Sequence, residues 1–211
     1  MEYILSVIGI IILIISIVLH EYAHGKVSYI FGDSTAKDEG RLTLNPIKHI
    51  DPVGSIILPL LLIVMNTGFV IGWAKPVPIN PDRYTNKKLG WILTSIAGPF
   101  INYFLSFIAL LTILLFNNFY DVNPIFKIIL WYLFAINFVL GSFNILPLPP
   151  LDGFWVLLNL LPEKIKENVS KLVLSEYYPM IMVFTAIIAI LIGKYTFLKI
   201  LINISSILKI T

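Results

Sequence analysis

Residues 4–24 read ILSVIGIIILIISIVLHEYAH, sixteen residues without a charge followed by His20, Glu21 and His24. Two patterns collide here. The apolar run is long enough to open a membrane-spanning helix, which needs roughly 20 such residues. Such a helix ordinarily carries nothing ionisable, because one charged group at its centre costs about 3 kcal/mol on insertion scales. Three together imply a compensating partner, and two imidazoles four residues apart share one helix face, where they can converge on a metal ion.

The rest of the chain has the same character. Of its 211 residues 58% are hydrophobic and 13% charged, and the mean hydropathy is +0.90, which predicts an all-α polytopic membrane protein. Apolar stretches recur at 4–31, 53–73, 89–116 and 125–146, with a further region at 178–210. The first lacks a basic n-region and an A-x-A site, so it is read as a retained helix and not a signal peptide. The absence of cysteine excludes disulfides, thiolate ligands and cysteine nucleophiles. The net charge of +3 reads as loop charge, not a nucleic-acid footprint. The lipid bilayer is the expected partner.

Loop charge sets the orientation. Lys26, Lys37, Arg41 and Lys48 lie in one loop region, Lys75, Arg83, Lys87 and Lys88 in a second, and Lys164, Lys166 and Lys171 in a third, whereas 117–124 has no Lys or Arg. The positive-inside rule puts all three basic regions in the cytoplasm and the N-terminus outside. Residues 53–73 then have cytoplasmic loops on both flanks. With Pro59 and the Asn66-Thr67-Gly68 break dividing it, the segment is expected to be a re-entrant hairpin, an ordinary spanning helix being the alternative. Partial alternation around Asp38-Glu39-Gly40 predicts a small cytoplasmic β-hairpin at 33–45. In the tail, 179–193 is short for a span, and 195–210 places Lys199, Asn203, Ser206 and Lys209 near one face, as either an interfacial helix or a second short span would. The whole chain, 1–211, reads as one integral-membrane domain, with a core at about 1–162 and C-terminal membrane helices at about 178–210.

At this composition the pattern H-E-x-x-H would arise by chance on the order of once in a thousand chains. Glu21 lies about 100° around the helix from His20 and can flank an ion held by His20 and His24. With zinc there, water ionises near neutral pH, and Glu21 can carry its proton to a leaving amine. A catalytic zinc takes three protein ligands. His49 is one candidate for the third, but its basic loop suits a solvated histidine. Asp152 is better placed, since it follows Pro147, Pro149 and Pro150, precedes Gly153, and is embedded in apolar sequence. Asp152 could also cap the helix that follows it. Asn144, at the mouth of the same break, can orient a scissile carbonyl or hydrogen-bond a neighbouring helix; Asn102 and Asn137 suit the second role more strongly.

His20-Glu21-Tyr22-Ala23-His24, Ala97-Gly98-Pro99 with Asn102, and Phe143-Asn144-Ile145-Leu146-Pro147 running to Leu151-Asp152-Gly153 resemble the site-2 protease family of intramembrane zinc metalloproteases. The likeness covers roughly residues 15–160. It implies a three-helix catalytic core, one zinc held by His20, His24 and Asp152, Glu21 as general base, and Asn144 as a substrate-orienting residue. It further implies substrates that are transmembrane segments of membrane proteins, cut near the cytoplasmic face in a prokaryotic cell membrane. Gly40-Arg41-Leu42-Thr43-Leu44-Asn45-Pro46 and Gly72-Trp73-Ala74-Lys75-Pro76-Val77 are similar to the compact bacterial and archaeal branch, and no PDZ or CBS domain is evident.

Two other readings stand beside the peptidase: a noncatalytic membrane scaffold of the same fold, against which intact Glu21 argues, and a metal or ion transporter using the His/His/Asp site. Transport favours several exchangeable positions along a path, whereas here the ionisable groups gather at one depth. For a peptidase, a helical substrate must unwind before its carbonyl is accessible. The hairpin at 33–45 or the re-entrant segment could receive the unwound piece as an added strand.

Overall fold

A computed structural model describes residues 2–65, 72–116 and 123–208, and all regular structure among them is helical. The helices are α1 (Glu2–Ile30), α2 (Thr35–Asp38), α3 (Leu58–Val64), α4 (Lys87–Phe116), α5 (Pro124–Asn144), α6 (Asp152–Leu160), α7 (Glu163–Val173) and α8 (Tyr178–Leu208). Three segments, Val7–Ile30, Lys87–Phe116 and Pro124–Asn144, are long and apolar enough to cross a membrane.

The three long helices α1, α4 and α5 pack together with α4 at the centre, and α6 also lies against α4. Their burial pattern is the reverse of a soluble bundle. Ser16, Ser28, Thr94, Ser95, Asn102, Ser106, Asn137 and Ser142 are buried, while Ile10, Ile14, Phe100, Phe107 and Leu115 face outward. Small and polar residues let helix backbones approach and bond where apolar contact with lipid is as favourable as contact with protein. One end of the bundle has an apolar core of Ala109, Ile113, Leu130 and Phe134, against which Leu201 and Ile204 of α8 pack. Toward the other end the interior is polar and leads to His20.

The basic regions meet at that polar end. Thr85 donates its amide to the Phe31 carbonyl (2.8 Å) and Lys75 donates to the His49 carbonyl (2.9 Å). Asn80 donates to the Asp33 carboxylate (2.7 Å), and the rings of Trp91 and Trp155 lie 5.6 Å apart, setting α6 against the start of α4.

Residues 33–45 form no β-hairpin. Asp33 Oδ1 accepts the Thr35 amide (3.0 Å) and hydroxyl (2.5 Å), which turns the chain into the helical turn α2. Gly40 at φ +63° ends it, after which the Arg41 and Leu42 amides both return to the Ala36 carbonyl (2.7 and 3.0 Å). A short acidic side chain offering the backbone a local acceptor has overridden the alternating pattern.

The tail is likewise not two pieces, since α8 runs unbroken for 31 residues through Gly193 and Lys194. A single glycine weakens a helix by about 1 kcal/mol and does not end it. Lys209 lies outside the described residues.

Within 53–73, π-helical turns at Pro52–Ile57 lead into α3, and the Asn66-Thr67-Gly68 break lies outside the described residues. The two ends of the segment are bonded together. Trp73 donates its amide to the Gly54 carbonyl (3.2 Å), and Ser55 Oγ donates to the Trp73 carbonyl (2.8 Å). A side chain at position 54 would strike the Trp73 indole, its Cβ 2.3 Å from the ring.

Candidate metal centre

Two histidines one turn apart on α1 point at the N-terminus of α6. His20 and His24 are 8% and 6% exposed, and their Nε2 atoms stand 3.0 Å apart. Asp152, the first residue of α6, brings Oδ2 to 3.2 Å from His20 Nε2 and 3.4 Å from His24 Nε2. The loop before it is held by local bonds, Leu148 to Leu146 (2.8 Å) and Leu151 to Leu148 (2.9 Å), and by the Thr185 hydroxyl of α8, which donates to the Pro149 carbonyl. Gly153 presses on the turn behind, where a Cβ would lie 2.0 Å from the Ile145 carbonyl oxygen.

The donor set fits a cation. His24 Nδ1 lies 2.6 Å from the Thr94 backbone carbonyl, which can only accept. His20 Nδ1 lies 2.6 Å from Asn102 Oδ1, which likewise only accepts. Each ring therefore holds a proton on Nδ1, so in the neutral imidazole the lone pair lies on Nε2. Asp152 Oδ2 is buried, faces both rings and has no well-aligned hydrogen-bond donor. Two ring nitrogens and a carboxylate oxygen thus converge on one point, the arrangement of a site built around a metal. The three ligand atoms lie within 4.8 Å of one another. Zinc suits two imidazoles and a carboxylate.

Gly98 completes the cradle. A Cβ there would sit 2.3 Å from His24 Nε2 and 2.5 Å from His20 Nε2. The next residue, Pro99, lies inside α4 and lacks the amide that would bond the Ser95 carbonyl.

Glu21 is half-buried, and its Oε2 accepts the Val77 amide (2.8 Å). It lines a cavity of about 280 Å³ together with His24, Asp152, Val77, Tyr84 and Trp155. Arg41 braces the wall, donating from Nη2 to the carbonyls of Lys75 (3.0 Å) and Pro76 (3.1 Å).

Asn144 is not among the residues lining this cavity; at the end of α5 it donates Nδ2 to the Leu140 carbonyl (3.0 Å). His49 is neither a ligand nor solvated. It is 2% exposed and donates Nε2 to the Thr43 carbonyl (2.9 Å), because the 31–50 and 72–86 regions fold over one another. Asp152 follows Leu151 with no side-chain cap bond at that helix start, and its Oδ2 is given to the histidines.

The Val77 amide and the Thr94 carbonyl went unseen in the sequence, as any residue type supplies them. Gly98 and Asn102 carried a visible signal in their motif, but not their roles.

Residues 121–190 match Peptidase family M50. The chain is 40% identical over 191 residues to "Putative zinc metalloprotease YwhC" of Bacillus subtilis, covering 88% of this chain and 82% of that protein. It is 33% identical over 160 residues to "Putative zinc metalloprotease Rip2" of Mycolicibacterium smegmatis, covering 72% of this chain and 59% of the relative. With "Zinc metalloprotease MJ0392" of Methanocaldococcus jannaschii it shares 29% identity over 154 residues, 73% of this chain and 34% of the relative. No solved structure matches the chain. A metal cradle of two histidines and an aspartate between apolar helices, and likeness to zinc metalloproteases over most of the length, lead to one conclusion: this chain belongs to peptidase family M50, the site-2 protease family, and is a zinc metalloprotease.

Proposed function

We propose that this chain is a membrane-embedded zinc endopeptidase that cuts transmembrane segments of membrane proteins near the cytoplasmic face, as one integral-membrane domain spanning 1–211. The observation that carries it is the convergence of His20, His24 and Asp152 beside a cavity edged by Glu21. Zinc held by these three would polarise the scissile carbonyl and ionise water near neutral pH. Glu21 takes the proton of the attacking water and returns it to the leaving amine. Its Oε2 is occupied by the Val77 amide, leaving Oε1 for proton exchange. Asn144 exchanges its bond to Leu140 for one to the substrate backbone and so orients it.

His20 lies ten residues before the end of α1, roughly 15 Å along the helix axis. That depth lies inside the apolar layer, on the half of α1 nearer the end where the basic regions cluster. The positive-inside rule makes this end cytoplasmic, in a multi-pass cell-membrane protein. The segment 53–73 is read as re-entrant, a reading supported by the bonds that join Gly54 and Ser55 near its start to Trp73 at its end.

The unwound substrate lies against 72–80, a stretch without helix or strand. Trp73, Lys75, Val77 and Asn80 spend their amides on the protein, while those of Ala74 and Ile79 are left to pair with an added strand.

The test is Glu21→Gln reconstituted in liposomes with a model transmembrane substrate, scored for bound zinc and for cleavage. Zinc retained with cleavage reduced at least about 100-fold supports the reading. Undiminished cleavage removes Glu21 as base, and zinc flux across the bilayer would point to transport instead.

A further inference from the structure

The polar interior between α1, α4 and α5 forms one directed chain of bonds. Asn137 donates Nδ2 to the Leu133 carbonyl (2.9 Å) and to Ser16 Oγ (2.9 Å), so it presents Oδ1 to Asn102. Asn102 donates Nδ2 to that oxygen (2.8 Å), with the Ser16 carbonyl at 3.5 Å. Its own Oδ1 is thereby turned on His20 Nδ1 (2.6 Å). Both asparagines are 0% exposed, so no water can substitute for a lost partner. Reversing Asn102 would set its oxygen against that of Asn137, and reversing Asn137 would set its oxygen against the Leu133 carbonyl. A backbone carbonyl only accepts, so it dictates the sense of every bond above it.

We propose that Asn102 and Asn137 are positioning residues of the metal centre, a relay that reads the Leu133 carbonyl and holds His20 with its proton on Nδ1 and its lone pair on Nε2. This rests on the reading of His20 as a zinc ligand. Which ring nitrogen is free is set by the bond the other makes, and free neutral histidine in water favours the opposite tautomer, which would aim an N–H at the ion. The relay removes that competing form before zinc arrives. Helix adhesion alone does not need this arrangement, because Ser106 Oγ already bonds the Phe134 carbonyl between the same two helices (3.2 Å) without touching His20.

The experiment uses full-length protein in nanodiscs, labelled with ¹⁵N-histidine; the chain has only three histidines. Two readouts are taken: the tautomer of His20 in chelator-stripped protein, and zinc affinity by competition with a chelator. In the wild type His20 should be protonated on Nδ1. Asn102→Leu should lose that preference and bind zinc 10- to 100-fold more weakly, the usual scale for removing an outer partner of a ligating histidine. Asn102→Asp sets its second oxygen against that of Asn137 and should lower thermal stability, but it keeps an acceptor on His20 Nδ1 and should recover the Nδ1 proton and most of the affinity. Ser106→Ala should lower thermal stability and leave zinc affinity unchanged.

The relay is overturned by any of three results: wild-type His20 without a proton on Nδ1, Asn102→Leu binding zinc as tightly as wild type, or Ser106→Ala losing as much affinity as Asn102→Leu. Should Asn102→Leu not fold, the wild-type tautomer and Asn102→Asp decide between the outcomes. A wild type that binds no zinc removes the reading of the site itself, whereas zinc bound equally by wild type and Asn102→Leu removes only the relay.

Discussion

Gly98 stands against His24 so closely that a Cβ on it would lie 2.3 Å from the ring's Nε2. The absent methyl corresponds to space on the side of the ring where the lone pair points. Gly98→Ala should therefore weaken zinc binding by more than the roughly 10- to 100-fold typical of losing an outer hydrogen bond, while the helices still form. Zinc titration alongside circular dichroism checks this, and normal zinc content in the variant would show that the ion lies elsewhere.

Arg41 acts on the opposite wall. By binding the Lys75 and Pro76 carbonyls from one nitrogen, it holds in place the amide of Val77 that secures Glu21. Lysine ends one bond short of the Nη2 position, so its ammonium cannot reach both carbonyls without moving the segment. Arg41→Lys should lower kcat roughly 10-fold, the scale of a small misplacement of a reacting group, with zinc content unchanged. A variant with full kcat would show that the segment needs no such brace.

Ala74 offers a direct probe of where the substrate lies, because its amide bonds nothing among the described residues. Ala74→Pro removes that amide and should raise KM and depress turnover of a transmembrane substrate, with zinc retained. Equal turnover by both proteins would move the docking edge away from 72–80.

Asp33 ties together the end of α1, α2 and the 72–80 segment. Burial works to raise its pKa, but bonds from Thr35, Asn80 and Ser28 outweigh it and hold the carboxyl below the ordinary value of 3.8. A folded pKa below the unfolded one gives stability that is full at neutral pH and is lost as pH falls through the folded value. Asp33→Asn should lower stability at pH 7 by about 2 kcal/mol, the scale of hydrogen bonds to a charged acceptor. The difference from wild type should shrink below about pH 4. Thermal unfolding in detergent at pH 7 and pH 3 measures both, and a gap that is the same at the two pH values would contradict the assignment.

The three long helices were legible because each is an apolar run of bilayer length, and a span has few other ways to satisfy its backbone. The pair His20 and His24 was legible because helical spacing alone puts the rings on one face. Asp152 needed its proline-rich setting to be singled out. What the sequence concealed were bonds made through backbone or across long separations. The Asp33 carboxylate captures the Thr35 amide and cancels the β-hairpin read at 33–45. His49 reads as a loop histidine until the 72–86 region covers it. The tail looked divided into 179–193 and 195–210 because pattern cannot tell whether the helix continues through Gly193 and Lys194. Asn144 matched a motif, but the motif does not tell that its amide bonds the Leu140 carbonyl.

The central claim is that one zinc ion is held by His20, His24 and Asp152. Zinc stoichiometry with X-ray absorption at the zinc edge, in wild type and in His20→Ala, His24→Ala and Asp152→Ala, tests it most directly. The expected result is one zinc per chain with two imidazole nitrogens and oxygen for the remainder, one imidazole or the ion itself being lost with each histidine. An unchanged zinc environment in any of the three variants would contradict the account.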